Sequence, residues 1–363
     1  MQARLDQPIA EGGSFKLDQM LLSIGMIVIT FIALYAGFVF LRDSTADRIL
    51  IAIAAIIWGV GGIALLYFVF NNLVEKLPGL WMNRLQPFIF VGPAVILLAW
   101  YLAMPTVRTL YASFFDANTV NFVGLNNYFT VFTQRQMVEA WTNNLLWIIV
   151  GTVLVVVFGL LIAILADRSK FESTAKSLIF MPMAISMVGA GVIWKFIYDN
   201  NPEIGLLNAI VQGLGGEPQA WLTLVQPWNN VFLIIVVVWL QTGYAMVLIS
   251  AAIKGIPEEL LEAARVDGAN EIQIFFRIIL PSIAGTLVTV VTTVIIFMLK
   301  IFDVVMVMTG GQFGTEVVGV RFYRAAFTEG NAGFASAIAI VLLIAVIPVM
   351  VYNLRQFSQR QTF

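Results

Sequence analysis

The chain has 363 residues, of which 60% are apolar and 11% charged, with a formal net charge of −1 and a mean hydropathy of +0.92. A soluble domain carries roughly 25% charged residues, and a chain of this length has too little interior to hide so much apolar area from water. An ordinary soluble fold is excluded, and the balanced charge argues against a nucleic-acid partner.

Cysteine and histidine are both absent. That removes disulfide and thiolate chemistry, the commonest metal ligand and the commonest general base. No metal, cofactor or catalytic residue is expected in this chain.

Crossing the hydrocarbon takes about 20 apolar residues as a helix. Helices are expected because lipid cannot satisfy bare peptide groups, and these runs lack the alternation of barrel strands. A polar segment, 1–19, carries Arg4 and Lys16 and precedes a long apolar run with no small-residue cleavage site, which reads as a retained first span. Eight runs qualify in chain order: 20–41, 50–72, 87–107, 142–166, 176–198, 229–252, 282–305 and 334–354. The expected fold is an all-α membrane protein of about eight transmembrane helices. Residues 1–86 form a tail and two accessory spans, and 87–363 a six-helix core.

With a cytoplasmic N-terminus, inner segments hold about twice as many basic residues as outer ones, so both termini are expected inside. The outer loops 108–141, 199–228 and 306–333 are each too short for a separate domain. Trp81, Trp100, Trp141, Trp147, Trp194, Trp221 and Trp228 fall mostly near span ends, as interfacial anchors do.

One segment breaks the pattern. Residues 253–281, between the sixth and seventh spans, hold the densest cluster of charge. Pro257 suits a first helical position, and Glu258 and Glu259 complement the positive end of a helix dipole. Gly268 is placed to end that helix in a left-handed conformation, and a second short helix then runs to Pro281. By charge alone this is a solvated loop. Its spacing is more specific: Glu262-Ala263-Ala264, Gly268, Ile278, Leu280 and Pro281 resemble, at every position, the signature loop of ATP-binding-cassette importer permeases.

The resemblance extends from about residue 87 onward. Ile179-Phe180-Met181-Pro182, Trp194-Lys195-Phe196-Ile197-Tyr198, Phe302-Asp303-Val304-Val305 and Thr309-Gly310-Gly311 look like segments of maltose-type sugar permeases. The inserted domain of the larger maltose permease subunit has no counterpart in 108–141, and α-glucoside permeases are the nearer flavour. The resemblance implies an inner-membrane permease subunit that imports a sugar by ATP-driven alternating access. It implies a second, different permease, two ATPase subunits that hold ATP and Mg, and an extracytoplasmic sugar-binding protein. Glu262, Ala263, Ala264 and Gly268 would then contact the ATPase. This chain has no G-x-x-x-x-G-K-[ST] loop, so hydrolysis belongs to a partner.

A sugar site needs aromatic and polar side chains facing a cavity. The sixth span offers Trp239, Gln241, Thr242 and Tyr244; the seventh offers Phe297, Lys300 and Asp303, the last two three apart and able to pair on one helix. The bland reading is that these aromatics pack or anchor, and that Lys300 and Asp303 snorkel. By resemblance, Leu240, Gln241, Tyr244, Val294, Phe297, Met298 and Ile301 occupy sugar-contacting positions, with Lys300 and Asp303 as added candidates. Met298 and Ile301 stand where the family has asparagines, and Gln241 where it has glycine, so hydrogen bonding has shifted.

An ion-coupled transporter would place acids near the midplane, and among the spans only Asp303 sits clearly inside one. A membrane assembly factor would explain the helices but not the loop spacing.

Overall fold

The computed structural model describes residues 17–77 and 79–360; the polar segment with Arg4 and Lys16 lies outside them. The chain divides into two compact units, Met1–Val107 and Arg108–Phe363.

In the first unit, α1 (Leu17–Asp43) and α2 (Arg48–Val74) form a hairpin followed by α3 (Gly79–Leu98). Asp47 starts α2 by accepting the Ile49 amide at 2.8 Å, a conventional N-cap. Phe31 meets Phe70 edge-to-face at 6.4 Å, and Lys76 Nζ donates to Ser23 Oγ at 2.8 Å. Tyr67 stacks on Phe90 at 5.8 Å to join α2 to α3. Almost none of the apolar stretch of these helices is buried, 6%, 0% and 0% in turn. Their side chains point outward, which water would not tolerate and lipid requires.

A π-turn, Ala99–Ala103, carries α3 into α4 (Met104–Ala112). The second unit continues with α5 (Asn126–Thr133) and α6 (Arg135–Leu146). The latter passes through a π-turn, Trp147–Gly151, into α7 (Thr152–Asp167). Then come α8 (Glu172–Phe180), α9 (Met187–Ile197), α10 (Leu206–Gly213) and α11 (Trp228–Lys254). The charged loop forms α12 (Glu258–Val266) and α13 (Glu271–Ile274), which a π-turn, Phe275–Ile279, links to α14 (Leu280–Ser282). Last are α15 (Ala284–Leu299), α16 (Asp303–Met308), α17 (Val318–Tyr323) and α18 (Ala332–Arg360). Among the described residues the sole β feature is an isolated bridge, Phe115 to Phe122.

The core of this unit is built around α11, 61% of whose apolar stretch is buried. Small residues let the other helices reach it. A Cβ on Gly159 of α7 would lie 2.6 Å from the Ala245 Cβ and 3.1 Å from the Met246 amide nitrogen. A Cβ on Gly243 would lie 2.6 Å from the Ile179 carbonyl oxygen. Close approach of this kind substitutes for the hydrophobic drive that lipid abolishes.

Among the described residues six helices are long and apolar enough to span, and the total is eight if each of two bent pairs is one span. The bent pairs fall at the expected fifth and seventh spans. The fifth bends by 103° between Ala184 and Met187. Pro182 sits in a short 3-10 turn, Ile185 is extended, and Ser186 restarts the helix by accepting the Gly189 amide at 3.0 Å. The seventh bends by 68° at Ile283, just after Pro281. It then stops at Leu299 instead of running to 305. Trp147 also departs from expectation. It is fully buried in the core rather than at an interface, with its indole N–H reaching Asn230 Oδ1 at 3.4 Å.

Candidate functional site

At one end of the bundle α11 runs directly into the charged loop. Pro257 serves as the N-cap of α12, one position earlier than expected, and Glu258 and Glu259 fill the first turn. Gly268 has φ +82. The Ala269 amide donates to the Ala264 carbonyl at 3.0 Å and the Gly268 amide to the Arg265 carbonyl at 3.1 Å, the paired bonds of a Schellman stop. Asn270 then opens α13 with a reciprocal capping box to Gln273. The spacing from Glu262 to Gly268 is thus the length of helix that ends in a sharp left-handed turn.

Glu262, Ala263 and Gly268 are exposed and Ala264 is half-buried. Leu260, Val266, Ile272 and Phe276 are also exposed, at 48%, 87%, 70% and 61%. The loop thus leaves apolar groups uncovered among its charges. Ile278 and Leu280 are half-buried beside Ile279 and Ile283, which pack into the core, and Pro281 is exposed. These positions anchor the loop. Pro281 removes one helical amide, and the Ser282 hydroxyl donates to the Ile278 carbonyl at 2.6 Å.

The sugar candidates separate into three groups. Leu240, Val294, Met298 and Ile301 are 2%, 1%, 0% and 3% exposed. They are core, and Met298 fills the space that Gly151 leaves on the facing helix. Trp239 and Thr242 line an apolar groove of about 450 Å³ with Phe158, Pro182 and Trp194. The Thr242 hydroxyl is satisfied by the Val238 carbonyl at 2.7 Å. On the opposite face of α11 lie Gln241 and Tyr244, both half-buried, and Phe297 on α15 is half-buried too. The helical period of 3.6 forbids the five sixth-span candidates, Trp239, Leu240, Gln241, Thr242 and Tyr244, from facing one cavity.

Lys300 and Asp303 do not share a helix. Lys300 caps α15, the backbone breaks at Phe302 (φ −146, ψ −58), and Asp303 opens α16. Both are exposed, and no ion pair joins them among the described residues. The expected i,i+3 pairing fails because the seventh span ends between them.

At the other end of the bundle, adjacent asparagines pin the 309–318 loop. Asn143 donates to the Gly314 and Glu316 carbonyls, both at 2.8 Å, and Asn144 to the Leu299 carbonyl at 3.0 Å. Asn229 donates to the Phe313 carbonyl at 2.6 Å. Arg324 pairs with Glu316 at 2.9 Å, and buried Arg321 pairs with Glu329. Burial pushes the Glu316 carboxyl above its ordinary value, against the pull of Arg324 and Arg321. The two Asn-Asn doublets at span starts were the available signal for this network, and sequence reasoning passed over them.

Three comparisons bear on this geometry. The family described as binding-protein-dependent transport system inner membrane component matches residues 156–360, more than half of the chain. The osmoprotective compounds uptake permease protein GgtC of Synechocystis sp. is 50% identical over 75% of this chain and 99% of its own length. The alpha-glucoside transport system permease protein AglF of Rhizobium meliloti is 49% identical over 76% of this chain and 84% of its own. A chain of a bacterial ABC transporter involved in the import of alginate has the same fold. It has a TM-score of 0.66 at 20% identity and covers 78% of this chain and 99% of that one. The chain belongs to the family of binding-protein-dependent transport system inner membrane components, as multi-pass membrane subunits.

Proposed function

We propose that this chain is one permease subunit of an ATP-binding-cassette importer for an α-glucoside or a related small glycoside, with residues 253–281 as its coupling loop. The observation that carries this is the exposed α12–Gly268–α13 unit at the end of the most buried helix, with the Glu262-Ala263-Ala264 to Pro281 spacing intact. The likeness to an alpha-glucoside transport system permease, at 49% identity, supports the substrate class.

In this reading the loop faces the cytoplasm and both termini lie on that side. A second, different permease completes the pore, and two ATPase subunits bind ATP and Mg. A binding protein delivers the sugar to the 309–318 side. The six-helix core from about residue 87 carries the transport path. Ala263, Ala264 and Gly268 allow close approach of the ATPase surface, and Glu262 pairs with a basic group there. Closure of the ATPase dimer moves the loop, and the bundle changes as a set of rigid bodies between two states.

Gln241, Tyr244 and Phe297 are the residues of this chain proposed to meet the sugar. Neither Gln241 nor Tyr244 makes a side-chain hydrogen bond among the described residues. Leu240, Val294, Met298 and Ile301 act behind them, holding α11 to α15.

Glu262→Gln and Gly268→Val test the coupling loop in vesicles holding the full transporter. Uptake is expected to fall relative to binding-protein-stimulated ATP hydrolysis while the chain still reaches the membrane. Wild-type rates for both would refute the assignment.

A further inference from the structure

Where α11 ends, its charges are tied to the turn between α7 and α8. Lys176 Nζ lies 2.5 Å from Asp167 Oδ1 and 2.6 Å from Glu172 Oε1. It also donates to Ser250 Oγ at 2.5 Å, and Ser250 in turn donates to Asp167 Oδ1 at 2.7 Å. Lys254, the last residue of α11, pairs with Glu172. The Lys176 and Asp167 side chains are only 18% and 13% exposed, and Ser250 is buried. This is a neutral cluster of two acids and two bases joining α7, α8 and α11.

A second connection lies beside it. Arg168, next to Asp167, pairs with Glu271 at 2.6 Å, and Arg265 on α12 reaches the same carboxylate at 3.4 Å. The α7–α8 turn is therefore bonded to the loop at its entry, through Lys254, and at its middle, through Glu271. The outer pairs are more than half exposed and individually weak. The Lys176 pair is not, and removing one partner would strand a shielded charge.

From α8 the chain bends by 103° into α9. The bend sits against Gly243 of α11, and Gly191 of α9 packs on Val307 of α16. A displacement of the loop thus has two routes into the bundle. One is covalent, along α11; the other is ionic, through α8 to the broken fifth span. Asp167 Oδ2 is buried with no hydrogen-bond partner among the described residues.

We propose that Lys176 is a positioning residue for transport, clamping the α7–α8 turn to the end of α11 so that the fifth span follows the coupling loop. This rests on the reading of residues 253–281 as the ATPase contact.

The test uses the complete transporter in vesicles, measuring sugar moved per ATP hydrolysed, basal hydrolysis and complex yield. Lys176→Met is expected to lower the ratio at least about fivefold, the low end of coupling effects, with basal hydrolysis retained. Lys176→Arg should hold the wild-type ratio. Asp167→Asn combined with Lys176→Met removes both charges and strands neither, so it should assemble at full yield and still be uncoupled. Recovery of the ratio in that double variant would assign the cluster to stability alone and overturn the proposal, as would an unchanged ratio in Lys176→Met. Glu262→Gln in the same assay separates the two readings. If it uncouples and Lys176→Met does not, the clamp fails and the loop reading stands; if neither has an effect, both fail.

Discussion

At the scale of single residues, the contrast between Gly268 and Met298 shows what kind of role a pattern can reveal. Gly268 was legible because a left-handed stop leaves a mark in composition: a residue without Cβ, six positions after Glu262, at φ +82. Met298 was assigned to a sugar by position and lies at 0% exposure, filling the gap beside Gly151. A core position and a cavity position on one helix carry the same apolar residue types, so only packing tells them apart. Tyr244 and Phe297 stay half-buried and remain candidates. Tyr244→Ala and Phe297→Ala are each expected to raise the sugar concentration for half-maximal uptake by about tenfold, the worth of one good aromatic contact. Complex yield should be unchanged. Normal uptake kinetics in both variants would place the site in the partner permease.

At the scale of elements, the spans followed from apolar length: among the described residues six are long apolar helices and the other two expected spans are bent pairs. Their breaks did not follow, although Pro182 and Pro281 lay in plain view. Proline in a membrane helix is tolerated when neighbouring helices and side chains satisfy the freed backbone, so its presence does not say whether the helix kinks or divides. Before the fifth span divides, the end of α8 presses its backbone against α11 at Gly243. A Cβ there would lie 2.6 Å from the Ile179 carbonyl oxygen and 2.7 Å from the Phe180 Cα. Gly243→Val should therefore destabilise the second unit by about 1–3 kcal/mol, the usual cost of overpacking. A fall in the melting temperature of the detergent-purified protein reads this out; an unchanged transition would mean the two helices separate freely. The loop helices were legible for the opposite reason. Their start and stop signals, Pro257 and Gly268, are local and need no neighbour; the Asn270–Gln273 capping box, equally local, went unread.

At the scale of the whole molecule, the two ends of the bundle differ in how they are held. The coupling-loop end is joined by ion pairs, the Lys176 cluster and Glu271 among them. The other end is joined by buried asparagines on backbone carbonyls around Gly314, together with the Arg324–Glu316 and Arg321–Glu329 pairs. With no native cysteine in the chain, single substitutions report the proposed orientation cleanly. Asp267→Cys should react with a membrane-impermeant maleimide only in inside-out vesicles, and Gln312→Cys only in right-side-out ones; the reverse pattern would invert the topology. Composition and apolar run length by themselves determined a polytopic helical membrane protein, because lipid admits so few solutions for a backbone. Local signals determined the short helices of the 253–281 loop, because helix starts and stops are written in adjacent residues. Which side chains of α11 and α15 face a cavity, where two spans break, and which charges bind the α7–α8 turn were decided by the tertiary structure. Those outcomes depend on residues as far apart as Lys176 and Ser250, or Asn143 and Gly314, which meet only when the helices pack.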